Sequence, residues 1–266
     1  MKATVSTPTV FLKEPPSFDV LGVRVHAVQI PEVIERFEAW IAERGTGRFV
    51  AVCNVHMVME AQDSARFRQM LNSSAMTVPD GKPLTWIGRR GGFDLERRVY
   101  GPDLFQDFLA ATAGRGYRHF FYGGHPEVLE TMIEKICRRF PSTVVAGSFS
   151  PPFRPLTEEE DAAVMERIAR SRADILWVGL GCPKQEVWMY EHCARLNVPV
   201  MVGVGQAFNI VAGNVKQAPR WMREHGLEWL FRLLLEPRRL WRRYLVYNSR
   251  FLWSIAAESI MGRIRG

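Results

Sequence analysis

Ala173-Asp-Ile-Leu-Trp-Val-Gly179 runs without a break into Leu180-Gly181-Cys182-Pro183-Lys184-Gln185-Glu186. The first seven residues read as a buried strand, short and apolar. Two glycines then turn the chain, and Pro183 suits the first turn of a helix. Lys184 and Gln185 would face whatever binds the preceding glycines. Strand, glycine turn and helix start in succession form the unit of a parallel α/β sheet.

The same unit recurs to either side. Arg48 to Cys53 (RFVAVC) reads as a strand before a helix over roughly 55–72, and Met76 to Val78 as a short strand ending at Pro79-Asp80-Gly81. Arg118 to Tyr122 (RHFFY) runs into Gly123-Gly124 and a helix from about Pro126 to Phe140. Thr143 to Ala146 is a further strand. Thr157, with Glu160 three residues on, forms a capping box. Val200 to Val204 (VMVGV) is the last strand of buried type. The alternation predicts a largely parallel sheet with helices on both faces. It stops near Gly213 to Pro219, and apolar positions then recur at helical spacing, with Pro237 breaking the tail into two or three short helices.

Charge divides the chain at the same place. The 266 residues carry 35 Lys and Arg against 28 Asp and Glu, and residues 216–266 hold eleven of the cations and four of the acids. The net +7 therefore belongs to the last fifth, and residues 1–215 are neutral. Trp221, Trp229, Trp241 and Trp253, half of the eight tryptophans, lie in that tail too. Arginine interleaved with tryptophan and leucine suits an anionic, greasy surface such as a phospholipid headgroup layer. A nucleic acid would also attract it. Leu196 to Val215 has no charge over twenty residues, yet its glycines, asparagines and proline make it a poor membrane span. Cys53, Cys137, Cys182 and Cys193 are scattered and read as reduced thiols of a cytoplasmic protein. Residues 1–17, rich in Thr, Pro and Ser, read as a flexible arm.

Ligands of a parallel sheet bind at the carboxyl ends of its strands, where helix N-termini offer N–H groups to anions. Gly123 and Gly124 would let a phosphate approach the backbone, or simply make a tight turn. Gly181 and the pair Gly203 and Gly205 are weak matches to a dinucleotide fingerprint, since neither has the third glycine. Asp80 is a general base at the sheet edge or an ordinary Asp-Gly turn. Asn54 holds a ligand or caps the next helix. The histidines share no ligand spacing and no D-x-D motif occurs, so no metal site is expected.

Taken in order, Pro79-Asp80-Gly81, Tyr100-Gly101-Pro102-Asp103-Leu104, Phe121-Tyr122-Gly123-Gly124, Gly179 to Glu186, Ala218-Pro219-Arg220-Trp221-Met222, Gly226 to Arg232 and Glu236 to Tyr244 resemble the WecG/TagA/CpsF glycosyltransferases, family 26. The likeness covers roughly residues 20–250. It implies a Rossmann-like α/β core over 18–215 and a basic, aromatic helical appendage over 216–266. It also implies an inverting, metal-independent enzyme without cofactor, peripheral to the inner face of the cytoplasmic membrane. Such enzymes move a hexose or N-acetylmannosamine from a UDP-sugar donor to a polyprenyl-diphosphate-linked (undecaprenyl) saccharide in cell-envelope or exopolysaccharide biosynthesis. The family's proposed base falls on Asp80 and its polar donor-pocket residues on Asn54 and Gln185. Gly123, Gly124, Gly181, Lys184 and Asn209 complete the expected donor site, and Arg232, Arg239 and Arg242 would hold the lipid diphosphate. Val52 and Asn209 stand where members often carry Thr and Asp, so the donor sugar is not carried over. A homo-oligomer is left open. A nucleic-acid-binding protein is the rival for the basic tail, but it leaves the strand-end polar residues unexplained. A nicotinamide-dependent oxidoreductase lacks its glycine fingerprint.

Overall fold

The computed structural model describes residues 13–45 and 47–265. Of the expected arm, residues 1–12 lie outside the described residues, and 13–16 lead without regular structure into a hairpin of β1 (Ser17–Val20) and β2 (Val23–His26). Six strands then form one parallel sheet: β3 (Arg48–Cys53), β4 (Met76–Pro79), β5 (Arg118–Gly123), β6 (Val144–Phe149), β7 (Ile175–Gly179) and β8 (Val200–Gly203). Their order across the sheet is β4-β3-β8-β7-β5-β6. The four inner strands are mostly apolar because both faces are covered.

One face carries α1 (Ile30–Glu43), α5 (Gly101–Ala111), α6 (Pro126–Arg139) and α9 (Ala207–Ala212). Phe37, Phe105, Phe108, Met132 and Phe208 fill the layer beneath them with Trp177 of β7. The other face carries α2 (Val55–Asp63), α3 (Ala65–Asn72), α7 (Glu158–Ser171) and α8 (Lys184–His192). Residues 55–72 form two helices rather than one. Ser64 ends α2 and caps α3, its hydroxyl accepting from Phe67 N–H at 3.2 Å. The capping box at Thr157 forms in both directions.

After β5 the chain turns outward through α6 to β6, and after β7 it turns the other way through α8 to β8. The helices following β5 and β7 lie on opposite faces, so a crevice opens between the carboxyl ends of these strands. A further helix, α4 (Lys82–Arg90), follows β4 and packs on the hairpin.

The appendage holds α10 (Arg220–Glu224), α11 (Glu228–Leu235) and α12 (Pro237–Trp241), then a π-helical turn (Arg242–Val246) leading into α13 (Tyr247–Arg265). The last helix is long because no proline and no glycine interrupts the chain between Pro237 and Gly262. Phe251 is buried in the layer of α2 and α3, Tyr247 Oη donates to Glu60 at 3.1 Å, and Arg250 pairs with Asp63 at 2.6 Å. Among the described residues, no helix is long and apolar enough to cross a membrane.

Candidate active site

The strand order sets the ends of β4, β3, β8, β7 and β5 side by side along one edge. At about 4.8 Å between strands, that row spans about 19 Å. Asp80 follows β4 directly, and its N–H donates to Cys53 O at 2.7 Å, which continues the ladder one residue past the strand. Asn54 follows β3 and caps α2, its side-chain oxygen accepting from Met57 N–H at 3.3 Å. Both face a cleft of about 130 Å³ that Lys82 and Tyr100 line from the core and Trp229 and Arg232 from the appendage.

Arg98 organises this cleft. One guanidinium nitrogen donates to Asp80 O at 3.2 Å and lies 3.9 Å from Asp80 Oδ1; the other donates to Glu228 Oε2. The guanidinium carbon stands 4.3 Å from the centre of the Tyr100 ring. Burial works against the Arg98 charge, but Asp80 and Glu228 outweigh it and hold its pKa above the ordinary arginine value. Burial, and then the Glu228 charge, push the Tyr100 phenol upward. Glu228 is itself buried, at the first position of α11. Arg232 lies one turn on, on the same side of the helix, so seating Glu228 on Arg98 carries Arg232 to the cleft.

A second tie fixes the neighbouring part of the appendage. Arg223 donates to both oxygens of Asp103 at 3.1 Å, and Gln217 Nε2 reaches Asp103 Oδ1 at 3.3 Å. Among the three arginines expected at the acceptor diphosphate, the structure brings Arg232 to the Asp80 cleft. Arg239 pairs with Glu236 at 2.6 Å, and Arg242 is exposed at the start of the π-helical turn; neither lines the cleft.

The other end of the row is built from backbone. Gly123 and Gly179 face each other across β5 and β7. At Gly123, φ is +117° and a Cβ would come 2.7 Å from the Gly179 carbonyl carbon and oxygen, so a side chain is refused twice over. Gly124 and Gly181 also have positive φ, and nothing stands within 4 Å of a Cβ on Gly181. Gln185 is buried, and its Oε1 accepts from both Gly181 N–H and Gly205 N–H at 3.1 Å. Its Nε2 donates to the buried Glu186 at 2.7 Å. Gln185 thus braces the loops after β7 and β8 to each other. Lys184 is exposed at the start of α8. Asn209 is half-buried on α9, next to Phe208, whose ring covers Gly179. The exposed Phe153 stands beside His125, with ring centres 4.9 Å apart, at the outer end of the row.

The sequence reading misses Arg98 and Glu228, the two groups that tie cleft and appendage together. The only local signals are an arginine among several and a glutamate inside a Gly-x-Glu-Trp motif. Among the described residues, no group of three His, Cys, Asp or Glu side chains is arranged to hold a metal ion.

Residues 18–265 match the glycosyl transferase WecG/TagA/CpsF family along almost the whole chain. The chain belongs to that family. Two members are named N-acetylglucosaminyldiphosphoundecaprenol N-acetyl-beta-D-mannosaminyltransferase. The one from Bacillus spizizenii is 31% identical over 217 residues, which cover 82% of this chain and 82% of the relative. The one from Bacillus subtilis is 30% identical over 212 residues, 80% of each chain. As a WecG/TagA/CpsF glycosyltransferase, the protein has its base candidate, Asp80, and one of its basic appendage residues, Arg232, in one cleft.

Proposed function

We propose that the protein transfers a sugar from a UDP-sugar to a polyprenyl-diphosphate-linked saccharide, with inversion and without a metal ion. Both named relatives act on an undecaprenol-diphosphate-linked N-acetylglucosamine, and this chain is alike over four-fifths of each. The observation that carries the reading is the Asp80 cleft, where a strand-end carboxylate and an appendage arginine line the same walls.

The acceptor hydroxyl oxygen attacks the anomeric carbon as Asp80 takes its proton, and the bond from that carbon to the β-phosphate oxygen breaks. UDP leaves with the electron pair of that bond, and the new bond forms on the opposite face of the sugar. The donor lies along the row. Its diphosphate approaches the bare backbone at Gly123, Gly124 and Gly181 and the N-terminus of α8, with Lys184 nearby. Asn209 and the rings of Phe153 and His125, 4.9 Å apart, hold the nucleoside at the far end. Asn54 orients the sugar beside Asp80. Gln185 serves the site by fixing its loops. Arg232 grips the acceptor's diphosphate, with Arg239 and Arg242 reaching it by rotation of their long side chains. The exposed Leu234, Trp241, Leu252 and Trp253 rest on the inner face of the cytoplasmic membrane, as a peripheral enzyme requires.

Purified protein assayed for UDP release with a panel of UDP-hexoses and UDP-N-acetylhexosamines, each with a lipid-diphosphate-linked N-acetylglucosamine, tests the reading. One donor should give turnover that needs the acceptor and survives chelator. No release from any donor, or release that needs a divalent ion, sinks the corresponding part.

A further inference from the structure

Beyond Lys82, which lines the cleft, helix α4 faces solvent with a surface that neither the fold nor the cleft uses. Its inward arc, Leu84, Thr85 and Gly88, is buried. A Cβ on Gly88 would come 2.8 Å from the Phe18 ring of the hairpin and 2.6 Å from Leu95, so the helix is pressed close to the core. Its outward arc holds Lys82, Trp86, Arg89 and Arg90, at i, i+4, i+7 and i+8. The Trp86 side chain is 57% exposed between cations, and no acidic residue occurs from Lys82 to Phe93.

A lone exposed apolar residue needs no explanation. Position gives this one a meaning. The stripe starts at the cleft, where Lys82 and Pro83 form part of the wall, and runs away from it. On the other side of that wall stands the appendage. A Cβ on Gly226 would lie 3.1 Å from Lys82 Cγ, and Trp221 of α10, just before that glycine, is 58% exposed. Exposed tryptophans therefore occur on α4, whose first residues wall the cleft from the core, and on α10, which leads into the appendage wall at Gly226.

We infer that the outward face of α4 is a second membrane contact, which docks on the anionic headgroups of the bilayer that holds the acceptor. Tryptophan settles at the headgroup level and arginine pairs with lipid phosphates, which is the chemistry this stripe offers. The inference rests on the proposed lipid-linked acceptor and adds an orientation to it. With contacts on two sides, the cleft opens onto the bilayer, and the core holds the surface independently of the tail.

The test uses the full chain with Trp86→Ala, Arg89→Gln and Arg90→Gln together. A second variant, Arg89→Glu with Arg90→Glu, leaves the tryptophan in place. All three side chains are exposed, so thermal melting should match wild type. Sedimentation is measured with vesicles of phosphatidylcholine containing phosphatidylglycerol, and with phosphatidylcholine alone. Apparent affinity for the anionic vesicles should fall about thirtyfold in each variant. KM for acceptor embedded in vesicles should rise, while turnover of a water-soluble, short-chain acceptor stays at the wild-type value. Wild-type binding by both variants overturns the inference alone. A change in self-association with vesicle binding unchanged also overturns it, and assigns the face to a second copy. Wild-type protein that ignores anionic vesicles removes the membrane reading and this one with it.

Discussion

The two ends of the sheet's carboxyl edge are built by opposite means. At β4 and β3 the groups are ionisable side chains, Asp80, Arg98, Glu228 and Arg232, and the last two come from the appendage. At β5, β7 and β8 they are glycines, and the loops after β7 and β8 are held in place by one buried amide. A developing charge and a moving proton need tunable groups, whereas a ready-made diphosphate needs only fixed dipoles and room. Under the proposed function, chemistry belongs to the charged end and donor holding to the glycine end.

The hardest blow to that division is Asp80→Asn. Turnover should fall about 1,000-fold, measured as UDP release, with the fold retained and melting lowered because Arg98 loses one of its two compensating charges. Activity near wild type with the fold intact would move the chemistry away from the charged end.

A buried histidine at the root of the glycine end stays neutral. There His119 of β5 is buried, accepts from Trp177 Nε1 at 3.1 Å, and burial lowers its pKa to about 4. The unfolded chain takes up that proton near pH 6.5, so this contribution is whole above pH 6.5 and is lost as pH falls toward 4. The loss amounts to about 3 kcal/mol, read from denaturant unfolding at a series of pH values. His119→Gln, which keeps an acceptor for Trp177, should flatten that part of the profile.

Gly123→Ala probes the backbone end itself. Positive φ and the Gly179 carbonyl together should cost about 2 kcal/mol of stability and raise the donor KM more than the acceptor KM. A rise confined to the acceptor would reverse the assignment of the two ends.

The smallest contrast lies within the appendage. Arg232→Gln should raise the acceptor KM about tenfold, and Arg239→Gln less, because Arg239 already answers Glu236. Equal effects would mean that the tail rearranges when the acceptor binds.

The parallel strands were legible because they are short, mostly apolar runs, four of them closed by glycine or proline, as in Ile175 to Gly179 and Met76 to Pro79. The hairpin at Ser17–His26 was not, since four-residue strands carry too little pattern to stand out. Asp80 and Asn54 could be picked out because each follows a strand. Gln185 could be noticed but not understood, for nothing local says that its oxygen faces inward to two glycines rather than outward to a ligand. Arg98 and Glu228 are 130 residues apart. Their pairing exists only once the appendage is seated, and each looks like ordinary surface charge in the chain.

The brace at Gln185 has a kinetic consequence. One oxygen closes the N–H groups of Gly181 and Gly205, so the two loops share a single latch. Amide exchange at these glycines should occur at matched rates through a joint opening. Gln185→Ala should free both amides at once, while the strand amides behind them exchange as slowly as before. The loops after β7 and β8 would then open and close on one clock.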